Sequence, residues 1–164
     1  MSSAPHAVNH VGINVPDLPA AVAWYVSVLG FEVVHPVAEV TADVGGAGVR
    51  FARMNGPGFR RGRVAYLTSA NGVGFEMFEF IEPRTEPFRD DWEYWRPGPW
   101  HVCLTTLDVP ALAASIAANG GRHRTEVLES SPGSGFWMTF CQDPWGNPVE
   151  LMSVSYDRIA QASA

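Results

Sequence analysis

Lysine is missing from the chain altogether: all eleven basic residues are arginine. With no ε-amine to desolvate, Schiff-base chemistry and a lysine general base are both excluded. Cysteine is scarce. The two present, Cys103 and Cys141, are too few for a disulfide framework or a thiolate zinc site and read as small strand residues of a reduced compartment. Positive charge is outnumbered, giving a formal net charge of −6 over 164 residues. That argues against a nucleic-acid partner and leaves no polybasic patch for a membrane surface. No apolar run reaches transmembrane length. The opening MSSAPHAVNHV lacks the charged and apolar stretches of a secretory signal, so a cytoplasmic protein is expected. What is present, 46% hydrophobic and 17% charged residues, is the make-up of a folded chain with a real core.

The chain repeats itself. HVGINVPDLPAAVAWYVSVLG (His10–Gly30) aligns with HVCLTTLDVPALAASIAANGG (His101–Gly121) at one constant offset and without a gap. His10/His101, Val11/Val102, Asp17/Asp108, Pro19/Pro110 and Gly30/Gly121 are among the identities. Each aspartate is suited to N-cap a helix that tolerates the following proline in its first turn. Each glycine stands where a helix needs a left-handed closing residue. A β-like run precedes each aspartate, and VAWYVSVL and LAASIAAN carry apolar residues at helical spacing. FEVVHPV and HRTEVL follow as strands. RVAYLTS-ANG-VGFEMFEF and FWMTFCQ-DPWGN-PVELMSV then read as hairpins.

These signals predict an α+β chain, one domain over 1–164, built of two βαβββ modules at 8–82 and 100–155. A loop-like aromatic linker at 83–99 joins them. The first copy is the longer one. Part of its surplus falls within Val40–Pro57, whose secondary structure the pattern leaves unassigned.

Strand parity selects the candidate site. Alternate side chains share a face, so Val11, Ile13 and Val15 pack under the first helix while His10, Gly12 and Asn14 face away. The same reading places His101, Cys103 and Thr105 away from the second helix, together with Glu76, Phe78 and Phe80 in one copy and Glu150 and Met152 in the other. His10, Glu76, His101 and Glu150 therefore share the face expected to be free of helices. If the modules pair about a pseudo-twofold axis, the four meet in a cleft of curved mixed sheet. Two imidazoles and two carboxylates suit one divalent first-row metal, Zn, Ni, Co, Mn or Fe. Glu79, three residues from Glu76, falls on the opposite face. His6, His35 and His123 have no such relation and read as surface residues.

In these residues, and in FCQDPWGNPVELMS near the end, the chain resembles the vicinal oxygen chelate superfamily of glyoxalase I, extradiol dioxygenases and bleomycin-resistance proteins. The resemblance implies paired βαβββ modules around one metal, ligands from the first and last strand of each module, and a homodimer acting on a small molecule. It implies His10, Glu76, His101 and Glu150 as ligands and a glutamate at the metal as base, Glu150 first and Glu76 second. Asn14, Phe78, Cys103, Met152 and Trp95 are the expected substrate contacts. Asn14 stands where glyoxalase I relatives tend to carry an arginine for the glutathione carboxylate, which argues against a glutathione-linked substrate. Trp92, Tyr94, Trp95 and Trp100 fit either an aromatic substrate wall or a linker packed on the core. Arg50, Arg53, Arg60, Arg61 and Arg63 form a solvated basic face or an anion contact.

Three activities follow. The first is a metal-dependent isomerase, epimerase or lyase moving a proton beside a carbonyl. The second is an extradiol Fe(II) dioxygenase using His10, His101 and Glu150, with Glu76 a spectator. The third is a ligand-sequestering or resistance protein without catalysis.

Overall fold

The computed structural model describes residues 4, 6–87, 92–95 and 97–162. The chain divides into two compact units, Met1–Pro87 and Phe88–Ala164. The first runs β1 (His10–Asn14), α1 (Leu18–Leu29), β2 (Glu32–Thr41), α2 (Gly45–Asn55), β3 (Arg61–Thr68) and β4 (Gly74–Glu82). The second runs β5 (Val102–Thr105), α3 (Val109–Ala118), β6 (Arg122–His123), β7 (Leu128–Glu129), β8 (Trp137–Gln142), β9 (Pro148–Met152) and α4 (Tyr156–Ala162).

Both sheets are mixed and wired alike. The first has the order β1-β4-β3-β2 and the second β5-β9-β8-β6, with β7 also on β8. In each, the opening strand crosses over by a helix and lies parallel to the closing strand, while the remaining pairs are antiparallel. Gly12 is the register partner of Glu76, and Cys103 that of Glu150. The sequence repeat is thus a repeat of strand pairing, and the α+β expectation agrees with the structure.

The shared residues act locally. Asp17 Oδ1 accepts from Ala20 N at 3.1 Å and Asp108 Oδ1 from Ala111 N at 2.9 Å, capping α1 and α3. Gly30 closes α1 in the left-handed region, φ 72°. Gly121 differs from its expected role. The left-handed residue after α3 is Gly120, φ 86°; a Cβ on Gly121 would stand 2.5 Å from Gln142 O and 2.6 Å from Ile116. Gly121 is there for close approach of helix end and strand, not for its dihedrals. In the closing turn, Asp143 accepts from Trp145 N, Asn147 N and Asn147 Nδ2 at 2.9, 2.8 and 2.7 Å.

α1 buries Leu18, Ala21, Trp24 and Tyr25, with Tyr25, Phe31 and Phe75 in edge or tilted ring contacts. In the second unit Val109, Ala113 and Ile116 of α3 are fully or almost fully buried, as are Val149 and Leu151 of β9.

The other face of the first sheet departs from expectation. The unassigned surplus folds as α2, whose Phe51 packs with Val40, Phe59 and Val64, against Phe78 and Phe80. Six aromatic and β-branched residues within reach of one another make covering that face more favourable than solvating it. So the side of the sheet that carries Phe78 is not free of helix. α4 is a second addition, starting just past the expected end of the second module at 155.

Of the linker expected at 83–99, residues 88–91 and 96 lie outside the described residues. The remainder is turns and bends, with one bridge between Ile81 and Arg84. Among the described residues no helix is long and apolar enough to cross a membrane.

Candidate functional site

The opening strand of the first unit starts on His10, exposed at the sheet end and adjacent to the closing strand. Its Nε2 lies 3.5 Å from Glu76 Oε2. Its Nδ1 faces Asn9 Oδ1 at 2.8 Å. That contact suits a ring proton on Nδ1, with Nε2 turned toward Glu76, the usual second-layer support of a metal-binding imidazole.

The second unit repeats the pair. His101 Nε2 lies 3.0 Å from Glu150 Oε2, with side chains 31% and 16% exposed, against 46% and 32% for His10 and Glu76. Here rings take the place of Asn9. Trp100 meets His101 edge-to-face with centroids 4.8 Å apart, and Phe140 does so at 5.4 Å. The Cys103 thiol is pushed up to about 12 by desolvation first, then by the negative charge of Glu150 and a hydrogen bond with it. At neutral pH the thiol is protonated beside that carboxylate.

Two ligand atoms about 2.1 Å from one ion and roughly at right angles to it stand about 3 Å apart. The spacings of 3.5 and 3.0 Å within the pairs fit such a placement, and imidazole plus carboxylate is a borderline-to-hard donor set suited to divalent first-row metals. Among the described residues no group of three or more His, Cys, Asp or Glu gathers in metal-holding reach. What each unit offers is a pair.

The other expected residues are scattered in burial. Asn14 and Cys103 are exposed and Trp95 is 63% exposed, whereas Met152 is 3% exposed. Phe78 is half-buried, stacked on Phe80 and tilted against Phe51. Glu79 lies on the α1 side, where its Oε2 accepts from Leu18 N at 3.1 Å and from Arg63 Nη1 at 3.1 Å. Arg61 and Arg63 face Glu39, and Arg60 donates to the carbonyls of Pro57 and Phe59. His6, His35 and His123 are exposed.

Two contributors escaped the parity reading: Asn9 and Phe140. Both carried a signal. Asn9 is the repeat counterpart of Trp100, and the hairpin register sets Phe140 opposite Glu150 as it sets Tyr66 opposite Glu76.

The chain is similar to known proteins in sequence and in fold. A 2-epi-5-epi-valiolone epimerase of Actinomyces sp is 27% identical over 154 residues, covering 90% of this chain and 79% of its own. A glyoxalase family protein from Bacillus cereus superposes with a TM-score of 0.76 at 18% identity, over 92% of this chain and 95% of that one. A mutant fosfomycin resistance protein from Listeria monocytogenes, solved with Mn(II) and a dihydroxypropylphosphonic acid, gives 0.64 at 11% identity over 98% and 100%. Residues 7–151 match the glyoxalase/bleomycin resistance protein/dioxygenase superfamily, and the chain belongs to it.

Proposed function

We propose that the protein is a divalent-metal-dependent epimerase or isomerase that moves a proton on carbon beside the carbonyl of a small hydroxylated substrate. One observation carries the reading: each unit sets a histidine nitrogen 3.0–3.5 Å from a glutamate oxygen, the histidine at or just before the first strand and the glutamate on the last strand parallel to it. In this reading His10, Glu76, His101 and Glu150, a pair from each unit, are ligands of a divalent ion of the Zn, Ni, Co, Mn or Fe class, and the chain works as a cytoplasmic homodimer. The epimerase relative favours this reaction over oxygen chemistry.

A divalent ion held by such a set supplies a Lewis acid for the negative charge that develops on the substrate oxygen. Proton movement is the protein's own part. Glu150, with His101 and the Cys103 thiol beside it, takes the proton from the carbon next to the carbonyl, and the C–H electron pair passes into the enolate. Glu76 is the second carboxylate of the set and the alternative base. Return of the proton to the opposite face of that carbon inverts it; return to the former carbonyl carbon, with the hydroxyl proton of the first carbon passing to the former carbonyl oxygen, isomerises. Asn14, Cys103 and Trp95, all exposed, are the proposed substrate contacts.

The test is hydrogen exchange. Metal-replete protein incubated with 2-epi-5-epi-valiolone, the compound in the relative's name, in deuterated water should incorporate deuterium beside the carbonyl. Glu150→Gln should abolish it. Wild-type exchange in that variant would sink the base assignment. A protein that carries no stoichiometric metal and releases its ligand unchanged would instead favour the sequestering role.

A further inference from the structure

An internal repeat provides its own control. Features common to both copies, His10/His101 and Glu76/Glu150, suit an ion without a front or back. Features that differ are free to recognise a substrate that has both. The residue before each histidine differs most. Asn9 holds His10 by a hydrogen bond, whereas Trp100 holds His101 by a ring edge. Opposite the glutamates stand Tyr66 in one copy and Phe140 in the other. The rings around the second pair are continuous. Trp100 and Phe140 lie 4.9 Å apart, and Trp92 touches both at 5.5 and 5.9 Å. Tyr94 extends the panel from Trp100 at 6.2 Å to Trp95 at 5.2 Å. Tyr94 and Trp95 are 61% and 63% exposed.

Packing a connecting segment does not account for two features. Large exposed rings joined to a histidine–glutamate pair mark recognition surfaces more often than cores. Trp100 itself is half-buried and meets the His101 ring directly, so the panel reaches the pair.

We infer that the Trp100–Phe140 panel is the surface on which the substrate's ring lies, so that the substrate is a cyclic hydroxy-carbonyl compound whose flat hydrogen-bearing face stacks on the indole. Trp100 is then a specificity-determining residue. The stacking fixes which face of the ring is turned toward His101 and Glu150, and thereby which carbon-bound hydrogen reaches the carboxylate. The inference deepens the epimerase reading and rests on it for the reaction, though not for the binding.

The experiment compares two α-hydroxyketones of like functional groups, hydroxycyclohexanone and the open-chain acetoin, by tryptophan fluorescence and calorimetry, with and without Zn(II). The ring compound should perturb the fluorescence and bind about tenfold more tightly than acetoin. Trp100→Asn, which copies the residue of the first unit, should bring the two within about twofold of each other. Trp100→Phe should keep most of the preference, which guards against loss of folding as the cause. Equal binding of the two ketones by wild type, no binding of either, or an intact preference in both variants would overturn the inference. Zn(II) stoichiometry on the same samples reports separately on the metal reading: no bound zinc sinks that reading, while a Trp100-dependent ring preference stands without it.

Discussion

Asn9 Oδ1 sits 2.8 Å from His10 Nδ1, and this one contact decides which nitrogen of the ring faces Glu76. Its removal leaves the imidazole free to rotate and to change tautomer. Asn9→Ala is expected to weaken divalent metal binding about 10- to 100-fold, as loss of such outer support does elsewhere. Competition against a chromophoric chelator measures it. Unchanged affinity would separate His10 from the metal.

Glu79 and Glu76 lie three residues apart on one strand and should fail differently. Glu79 is tied to Leu18 N and Arg63, so Glu79→Ala should cost about 2 kcal/mol in urea unfolding and leave metal affinity alone. Glu76→Ala should remove metal binding with little loss of stability. Exchanged phenotypes would mean that the strand faces are assigned the wrong way round.

Phe51, 6% exposed, anchors α2 over Phe78 and Phe80. Phe51→Ala is expected to destabilise by about 3 kcal/mol, the usual cost of emptying a large aromatic site. The check is calorimetric or denaturant unfolding of the whole chain. A loss under about 1 kcal/mol would show that α2 contributes little to the unit's stability.

Burial pushes the Cys141 thiol from 9.0 up to about 11. The native state therefore keeps a proton that the unfolded chain has lost between those values. Stability is full below pH 9 and falls as pH rises toward 11, by on the order of 2 kcal/mol from this group. Cys141→Ala should flatten that part of the pH–stability curve relative to wild type. An equally steep alkaline fall in the variant would assign the effect to other groups.

Much of this could be read from residues alone because the repeat did the work of a template. His, Asp, Pro and Gly in fixed order located two helices and their caps, and period-two alternation then put Glu76 and Glu150 on one phase and Glu79 on the other. The alternation held because those strands pair at constant register beside the candidate ligands. α2 stayed hidden because Gly45, Gly46 and Gly48 depress its helix propensity, and its burial comes from tertiary contacts of Phe51. Gly121 was misread because a close approach and a left-handed turn both ask for glycine, and only coordinates tell them apart. Asn9 and Phe140 act through neighbours rather than through their own type, so a search for ligand-like side chains passes over them.

α2 also bears on solubility. Phe78 and Phe80 stack at 6.2 Å with planes 18° apart. Without the helix they would form a contiguous aromatic surface beside a β-sheet, the kind that draws copies of a protein together. Trimming the first copy to the length it shares with the second would make the molecule more symmetrical and more prone to aggregate. The extra residues of that copy keep the aromatic face of its own sheet covered.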